Sequence, residues 1–229
     1  MSGSAGEQGG SPERFGEASW KPGHDNAYMR AMNVEFFFEL GSPYSYMCST
    51  QIDAVAAKHG AEVAWRPMLL GAVFKASGNE MPARVPAKAA WMLKDLAMWS
   101  AHYRVPFTLP ASFPPNTLRA MRACSFAETK GSVMPLAKAL FEGYWSRAVD
   151  PSSDEGLAQG CRAAGLDLAE VKAAVESQPI KDALRASTQE AIDRGVFGAP
   201  TMFVGQTMLW GNDRLPLLDR LLAGEALGR

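Results

Sequence analysis

Gly41-Ser42-Pro43-Tyr44-Ser45 follows directly after the apolar run Val34–Leu40. A short, dense apolar run is typical of a buried β-strand. Pro is favoured at the first position of a helix, where its missing N–H would have no intrahelical partner anyway. Ser42 stands where a helix N-cap is expected, because its hydroxyl can accept a hydrogen bond from the first turn. The stretch therefore predicts a strand, a sharp turn and a helix in immediate succession.

A second strand is predicted shortly after this helix. The helical pattern covers residues 43–58 and ends at Gly60, since glycine is favoured just past a helix C-terminus. Val63 and Trp65 then alternate with other residues along Glu62–Met68, as in a strand. Two strands joined by a helix predict parallel pairing and a right-handed crossover.

Strands return only near the end of the chain. Residues 69–195 read almost entirely as helices and connectors. Thr201–Val204 and Met208–Trp210 read as two short strands, joined by a tight hairpin. Asn212 is expected to cap a final helix over residues 213–222. This order predicts an α/β protein with a thioredoxin-like fold and an all-helical domain inserted in its middle.

The predicted domain organisation follows from this order of elements. Residues 1–31 are rich in Gly, Ser, Glu and Pro without periodicity, and are expected to be a disordered extension. Residues 32–70 and 195–229 are expected to form the thioredoxin-like domain. Residues 71–194 are expected to form the inserted helical domain.

The composition excludes several classes of protein. The 229 residues are 47% hydrophobic with a formal net charge of −1, which suits a sizeable core and does not indicate a nucleic-acid binder. No stretch approaches about 18 apolar residues, so no membrane-spanning helix is expected. The three cysteines are far apart and the three histidines are scattered. We therefore expect no disulfide framework, no metal site and a cytoplasmic location.

Two further stretches lie where such a fold would bind a ligand. Pro200 precedes the third strand, and in a thioredoxin-like fold it would be cis and would turn the Ala199 backbone toward Ser42 and an extended peptide ligand. Asn212 and Asp213 stand at the start of the last helix, where a carboxylate or an ammonium group could be held. Plainer interpretations remain open for both stretches: a trans proline that begins a strand, and a capped helix with an acidic first turn.

In thiol-disulfide oxidoreductases the place of Ser42-Pro43-Tyr44-Ser45 is held by Cys-Pro-Tyr-Cys, so hydroxyls replace both sulfurs here. Over roughly residues 33–222, the chain resembles the kappa-class glutathione transferases and the bacterial 2-hydroxychromene-2-carboxylate isomerases, which share a DsbA-like architecture. The resemblance is carried, in order along the chain, by residues 36–46, 75–79, 85–88, 113–118, 144–147, 196–203 and 210–215.

The resemblance implies glutathione as the cofactor, whose thiol would supply the sulfur that is missing at positions 42 and 45. Ser42 matches the serine that hydrogen-bonds the glutathione sulfur, and it is the expected catalytic residue. Ala199 matches the residue before the cis-proline, Pro200, and pairs with the cysteinyl backbone of the ligand.

The resemblance also implies which polar residues of the chain contact the two ends of glutathione. Asn79 and Lys88 match residues of the helical domain that reach the glutathione backbone and the glycyl carboxylate. Asn212 and Asp213 match the contacts to the γ-glutamyl group. From the residues alone, Asn79 and Lys88 would read as solvated surface positions, and only the resemblance assigns them a role.

A pocket for a second substrate is expected between the two domains. Its predicted lining residues are Met68, Trp91, Trp99 and Phe113, although packing in the core is an open alternative for each. The glutathione thiolate would add to an electron-poor double bond, allow rotation about the resulting single bond, and leave again. The partners expected are thus glutathione and a small aromatic or chromene-type substrate.

Three functions stay open at this level. The first is an isomerase of the 2-hydroxychromene-2-carboxylate type in the catabolism of aromatic compounds. Residues 200–203 and 210–214 favour this function. The second is a kappa-type glutathione transferase or peroxidase, which residues 77–79 and 85–88 favour. The third is a glutathione-binding module without catalysis. A homodimer is expected, as is common in the family.

Overall fold

The structure is a computed structural model that describes residues 33–227. The predicted extension over residues 1–31 lies outside the described residues. So do residue 32 and residues 228–229, at the outer ends of the predicted thioredoxin-like domain.

One mixed sheet of four strands forms the centre of the described chain. The strands are β1 (Asn33–Phe38), β2 (Glu62–Pro67), β3 (Thr201–Val204) and β4 (Thr207–Trp210), in the spatial order β2-β1-β3-β4. β1 pairs in parallel with β2 and antiparallel with β3, which pairs antiparallel with β4. The predicted thioredoxin-like arrangement is confirmed, with strands from both ends of the chain side by side. The exact division at residues 70/71 and 194/195 stays a prediction.

Helices connect β1 to β2, fill the chain between β2 and β3, follow β4, and flank the sheet. They are α1 (Pro43–Ser49), α2 (Ile52–Ala57), α3 (Leu70–Ser77), α4 (Pro86–Tyr103), α5 (Leu118–Thr129), α6 (Val133–Arg147), α7 (Asp154–Ala164), α8 (Leu168–Ala174), α9 (Gln178–Asp193) and α10 (Leu215–Leu222), with 3₁₀ turns at Pro82–Arg84 and Asn212–Arg214.

The helix predicted over residues 43–58 is in fact two helices, α1 and α2. The hydroxyls of Ser49 and Thr50 donate to the carbonyls of Tyr46 and Met47, at 2.6 and 2.8 Å. Hydroxyls bonded to their own backbone in this way compete with the helical ladder. These two hydrogen bonds explain why α1 ends at Ser49 and a new helix begins at Ile52.

Asn212 does not cap the final helix, contrary to the sequence prediction. It begins a 3₁₀ turn, and α10 starts three residues later at Leu215. Pro216 favours that start, since proline suits the first turn of a helix. The Asn212 side chain is therefore not used on a helix end.

The core lies on both faces of the sheet, because β1 is buried on both. Phe36 and Phe38 pack against Trp65 on one face, with ring centroids 4.9 and 5.4 Å away. Phe37 packs against Phe203 on the other face, at 5.9 Å. Each such ring contributes about 1.5–3 kcal/mol by burial, so the end of β1 is a rigid base for the turn that leads to Ser42.

Cys48, Cys124 and Cys161 are free and buried. Within residues 33–227, no helix combines the length and the apolar character needed to cross a bilayer. The same residues contain no group of three His, Cys, Asp or Glu side chains arranged to hold a metal ion.

Candidate functional site

Ser42 lies where the end of β1, the start of α1 and the loop before β3 meet. Its Oγ accepts a hydrogen bond from the Ser45 N–H and donates one to the Ala199 carbonyl, both at 3.1 Å. The side chain is 4% exposed, and the Ala199–Pro200 bond is cis. A hydroxyl has a single proton. If the Ser42 hydroxyl rotates, it can donate this proton to an anionic ligand atom instead of to the Ala199 carbonyl. The Ala199 carbonyl is then free to accept a hydrogen bond from an N–H of that ligand.

A cavity of about 820 Å³ opens over this point, and we call it the Ser42 cavity. Its volume is in the range of pockets that hold small organic ligands. Among its walls are residues from the ends of the strands and from α3, α4 and the loop before α5. The predicted site residues that line it are Ser42, Asn79, Trp99, Phe113, Ala199, Asn212 and Asp213.

Asn212 lines the Ser42 cavity and carries a buried hydrogen-bond donor that is not used. The residue is 3% exposed, and its side-chain Nδ2 has no partner in the described part of the chain. The backbone carbonyl of Asn212 accepts a hydrogen bond from the Tyr103 hydroxyl at 3.2 Å, which fixes the turn. Buried amide groups are nearly always satisfied. The unpaired Asn212 Nδ2, in a residue that lines the cavity, is therefore a candidate donor to a ligand.

Asp213 stands next to it with an accessible carboxylate. Arg214 donates to its Oδ2 at 2.6 Å. The carboxylate folds closely over Gly211, where an added Cβ would lie 2.4 Å from Oδ1. Gly211 also has a φ of +106°, which disfavours any other residue. The segment Gly211-Asn212-Asp213 thus places two polar residues on one wall of the cavity.

Asn79 and Lys88 are placed differently from each other. Asn79 lines the Ser42 cavity, and its Nδ2 donates to the Phe197 carbonyl at 2.8 Å, which ties the end of α3 to the loop before Pro200. Lys88 is an exposed residue in the first turn of α4 and does not line the cavity. Pro200 is buried behind Ala199 and does not line it either.

The four residues predicted for a second-substrate pocket also divide. Trp99 and Phe113 line the Ser42 cavity, whereas Met68 and Trp91 do not. Met68 is fully buried with Phe37 on the opposite face of the sheet, so the structure places it in the core. Trp91 is 59% exposed, because α4 turns its neighbour Met92 inward instead. The geometry thus gives no support to a lining role for these two residues.

Tyr44 and Asp95 form a polar pair on the cavity wall that sequence reasoning missed. The Tyr44 hydroxyl donates to Asp95 Oδ2 at 2.8 Å, and both residues line the Ser42 cavity. Burial raises the pKa of Tyr44, and the carboxylates of Asp95 and Asp213 raise it further. The pair joins α1 to α4 across the cavity. Tyr44 belongs to the opening motif, but nothing in the sequence connects it to Asp95, 51 residues away.

Glu39 is a second residue that sequence reasoning missed. It lines the Ser42 cavity and is 6% exposed. Burial raises its pKa to about 7, although hydrogen bonds from Thr117 and from the Gly41 N–H act in the opposite direction. A charged residue inside the apolar run Val34–Leu40 was a signal that could have identified it, because a buried carboxyl group in such a run needs a reason to be there.

Known proteins resemble the chain over nearly its whole described length. The DsbA-like thioredoxin domain family matches residues 33–223. A 2-hydroxychromene-2-carboxylate isomerase from Sphingobium xenophagum is 33% identical over 192 residues, which cover 82% of this chain and 97% of that protein. Glutathione S-transferase kappa 1 from Rattus norvegicus is 29% identical over 209 residues, which cover 85% and 92%.

A solved structure supports the same relation. The structure of a 2-hydroxychromene-2-carboxylate isomerase superposes with a TM-score of 0.78 at 27% identity, and covers 84% of this chain and 95% of that one. With its strand order, its cis Ala199–Pro200 bond and its serine at the start of α1, the chain therefore belongs to the DsbA-like thioredoxin family, in the group of the 2-hydroxychromene-2-carboxylate isomerases and kappa-class glutathione transferases.

Proposed function

We propose that the protein is a glutathione-dependent isomerase of the 2-hydroxychromene-2-carboxylate type, with glutathione bound in the Ser42 cavity. The observation that carries the proposal is Ser42 itself. It is a buried hydroxyl, hydrogen-bonded to the Ala199 carbonyl, at the place where disulfide-handling relatives of this fold use a cysteine. Names of similar proteins support the reaction type, since the relative with 33% identity is an isomerase of this kind.

The proposed ligand fits the polar groups around the cavity. Ser42 would donate to the glutathione sulfur, while the Ala199 carbonyl would accept the N–H of the cysteinyl residue. The unpaired Asn212 Nδ2 would donate to an oxygen of the γ-glutamyl group, and Asp213 would hold its ammonium group. Asn79, which also lines the Ser42 cavity, would contact the ligand backbone. We keep Lys88 as a proposed partner of the glycyl carboxylate, reached by its long side chain from outside the cavity wall.

The remaining walls suit a flat apolar second substrate. Trp99 and Phe113 present aromatic surface to the cavity, and Met92 adds a flexible apolar side chain. A thiolate held at Ser42 would add to a double bond of this substrate, and the former double bond would rotate as a single bond. Departure of the thiolate would then leave the trans product and regenerate glutathione.

A kappa-type glutathione transferase or peroxidase is the second candidate. Two observations favour it: the 29% identity to glutathione S-transferase kappa 1 over 209 residues, and the position of Asn79 on the cavity wall within a kappa-like segment. The same bound thiolate would then attack an electrophile with a leaving group. A homodimer in the cytoplasm remains our expectation for either activity.

The proposal is tested by turnover of 2-hydroxychromene-2-carboxylate with glutathione, without it, and with S-methylglutathione in its place. S-methylglutathione keeps both carboxylates and the ammonium group but cannot form a thiolate. We expect isomerisation with glutathione only, and an ultraviolet thiolate absorbance on binding. Conjugation of a chloronitrobenzene without isomerisation would favour the transferase. Failure to bind glutathione would overturn both.

A further inference from the structure

Glu39 is folded over the turn that carries Ser42. Its Oε2 accepts a hydrogen bond from the Gly41 N–H at 2.8 Å, and its backbone carbonyl accepts one from the Ser42 N–H at 3.0 Å. Its Oε1 is bonded to the hydroxyl of Thr117, at the start of α5. Glu39, Gly41, Ser42 and Thr117 all line the Ser42 cavity. The carboxyl group and the proposed thiol position thus border the same cavity.

The charge of Glu39 is not balanced by a cation. Within residues 33–227, its carboxyl group accepts hydrogen bonds from the Gly41 N–H and the Thr117 hydroxyl, and no lysine, arginine or histidine forms an ion pair with it. The titratable groups that face it from the packed helices are Cys124 on α5 and Tyr144 on α6. Burial raises the pKa of both, that of Tyr144 to about 12, so both stay neutral near pH 7. Of these three groups, Glu39 is therefore the one whose pKa lies near neutrality.

We infer that Glu39 takes up the thiol proton when glutathione binds as a thiolate and gives it back when the thiol leaves. This inference rests on the proposed function. In the forward step the S–H bond breaks and an O–H bond forms on the Glu39 carboxylate. The electron pair of the S–H bond stays on sulfur as the thiolate. The return step reverses both changes, so that no proton or electron is gained or lost by the site.

The electrostatics of the cavity favour this exchange. A thiolate and the buried carboxylate of Glu39 bordering one cavity repel each other, so the two groups share a single proton and titrate as a pair. Moving the proton from sulfur to Glu39 leaves the number of negative charges around the cavity unchanged. A free thiol has a pKa of about 8.5, which a helix start and a hydroxyl donor lower. It thereby approaches the pKa of about 7 of Glu39, and proton exchange is efficient between matched groups.

The test counts protons released when glutathione binds. Binding is measured by calorimetry at pH 7.5 in buffers of different ionisation enthalpy, which gives the number of protons released. The same titration with S-methylglutathione, which has no thiol proton, gives the protons released by all groups other than the thiol. Thiolate formation is followed by ultraviolet absorbance in the same samples. We expect close to zero protons released by the wild type, because Glu39 accepts the proton, and close to one by Glu39→Gln. Below pH 7 the wild type should also release a proton, since Glu39 is then already protonated.

Thr117→Val is the second variant, and it keeps the carboxyl group. The Thr117 hydroxyl lowers the pKa of Glu39. Without this hydroxyl the pKa of Glu39 should be higher. As the pH is lowered, Thr117→Val should therefore begin to release a proton on glutathione binding at a higher pH than the wild type does. Equal proton release by the wild type and Glu39→Gln at pH 7.5 would overturn the inference and leave the proposed function intact. Absence of glutathione binding or of thiolate absorbance in the wild type would overturn the proposed function, and the inference with it.

Discussion

Two glutamates four positions apart, one within β1 and one just past its end, have opposite surroundings. Glu35, within β1, accepts from Arg194 at 2.8 Å and lies 3.7 Å from Arg66. Arg194 in turn lies over the Phe203 ring, 3.8 Å from its centroid. Within residues 33–227, the carboxyl group of Glu39, just past the end of β1, is hydrogen-bonded only to a hydroxyl and a backbone N–H. One glutamate is neutralised by a network of charges, and the other is buried without a cation.

The difference distinguishes a structural region from a reactive one. Paired charges at a half-exposed position contribute modestly to stability and carry no chemistry of their own. A buried carboxyl group without a cation is destabilising in its charged form, and such groups with strongly shifted pKa values cluster at functional sites. Substitutions in the Ser42 cavity should therefore change ligand chemistry. Substitutions in the Glu35 network should change only stability.

Ser42→Ala is expected to have the largest effect on activity. A hydrogen bond to a charged sulfur is worth about 1.5–3 kcal/mol, so turnover of the chromene carboxylate should fall roughly 10–150-fold. The pKa of the bound thiol, read from its absorbance, should rise. The control is Ser45→Ala, because the Ser45 hydroxyl is buried without a partner among the described residues. Full turnover by Ser42→Ala would reduce Ser42 to a helix cap.

Glu39→Gln is expected to change the pH dependence of stability. The pKa of Glu39 is about 7 in the folded protein and close to 4.5 when unfolded, so the folded state holds the proton more tightly. Its contribution to stability is therefore present below pH 4.5 and is lost as pH rises through 7. Between pH 5 and pH 8 the variant should gain about 2 kcal/mol in unfolding free energy relative to the wild type, measured by urea denaturation.

Glu35→Gln is the matched control for this prediction. It makes the same substitution four positions earlier, but it removes a carboxylate that pairs with Arg194 and Arg66. We expect it to lower stability at pH 8, where Glu39→Gln raises it. The same sign for both variants would mean that the two surroundings are not different in the way described here.

Asp213→Ala should weaken glutathione binding by about tenfold, because a charge-assisted hydrogen bond to the ligand ammonium group would be lost. The measurement is calorimetric titration with glutathione. Asp219→Ala serves as the control, since Asp219 lies on α10 and bonds His59 outside the Ser42 cavity. Unchanged affinity of Asp213→Ala would remove the γ-glutamyl role from Asp213.

Arg194→Ala should have the smallest effect and no effect on turnover. It removes ion pairs to Glu35 and Glu190 and the contact with Phe203. The loss should be about 1 kcal/mol, which lowers the Tm by roughly 2–4 °C. Arg220→Ala, at an exposed pair with Glu225, is the control and should change stability by less than about 0.5 kcal/mol. A fall in turnover for Arg194→Ala would contradict the division between the two regions.

The fold was predictable from local signals, and the site only in part. The apolar run before Ser42, the hairpin near Gly205 and the intervening helical periodicity indicated the order of elements, and the structure confirms it. Met68 and Trp91 show the limit of that reasoning. Apolar residues near a predicted cleft can face the core, the cavity or solvent, and spacing alone does not distinguish these directions.

The sequence by itself determined that a serine would stand at the start of α1, where related proteins use a cysteine, and that Pro200 would precede the third strand. These are local properties, because caps, turns and strand patterns depend on neighbours along the chain. Only the tertiary structure decided that Tyr44 meets Asp95, that Asn212 Nδ2 has no partner among residues 33–227, and that Glu39 is buried beside Ser42 without a cation. Burial and pairing depend on groups distant in sequence, and those groups are brought together only when the helices close over the sheet.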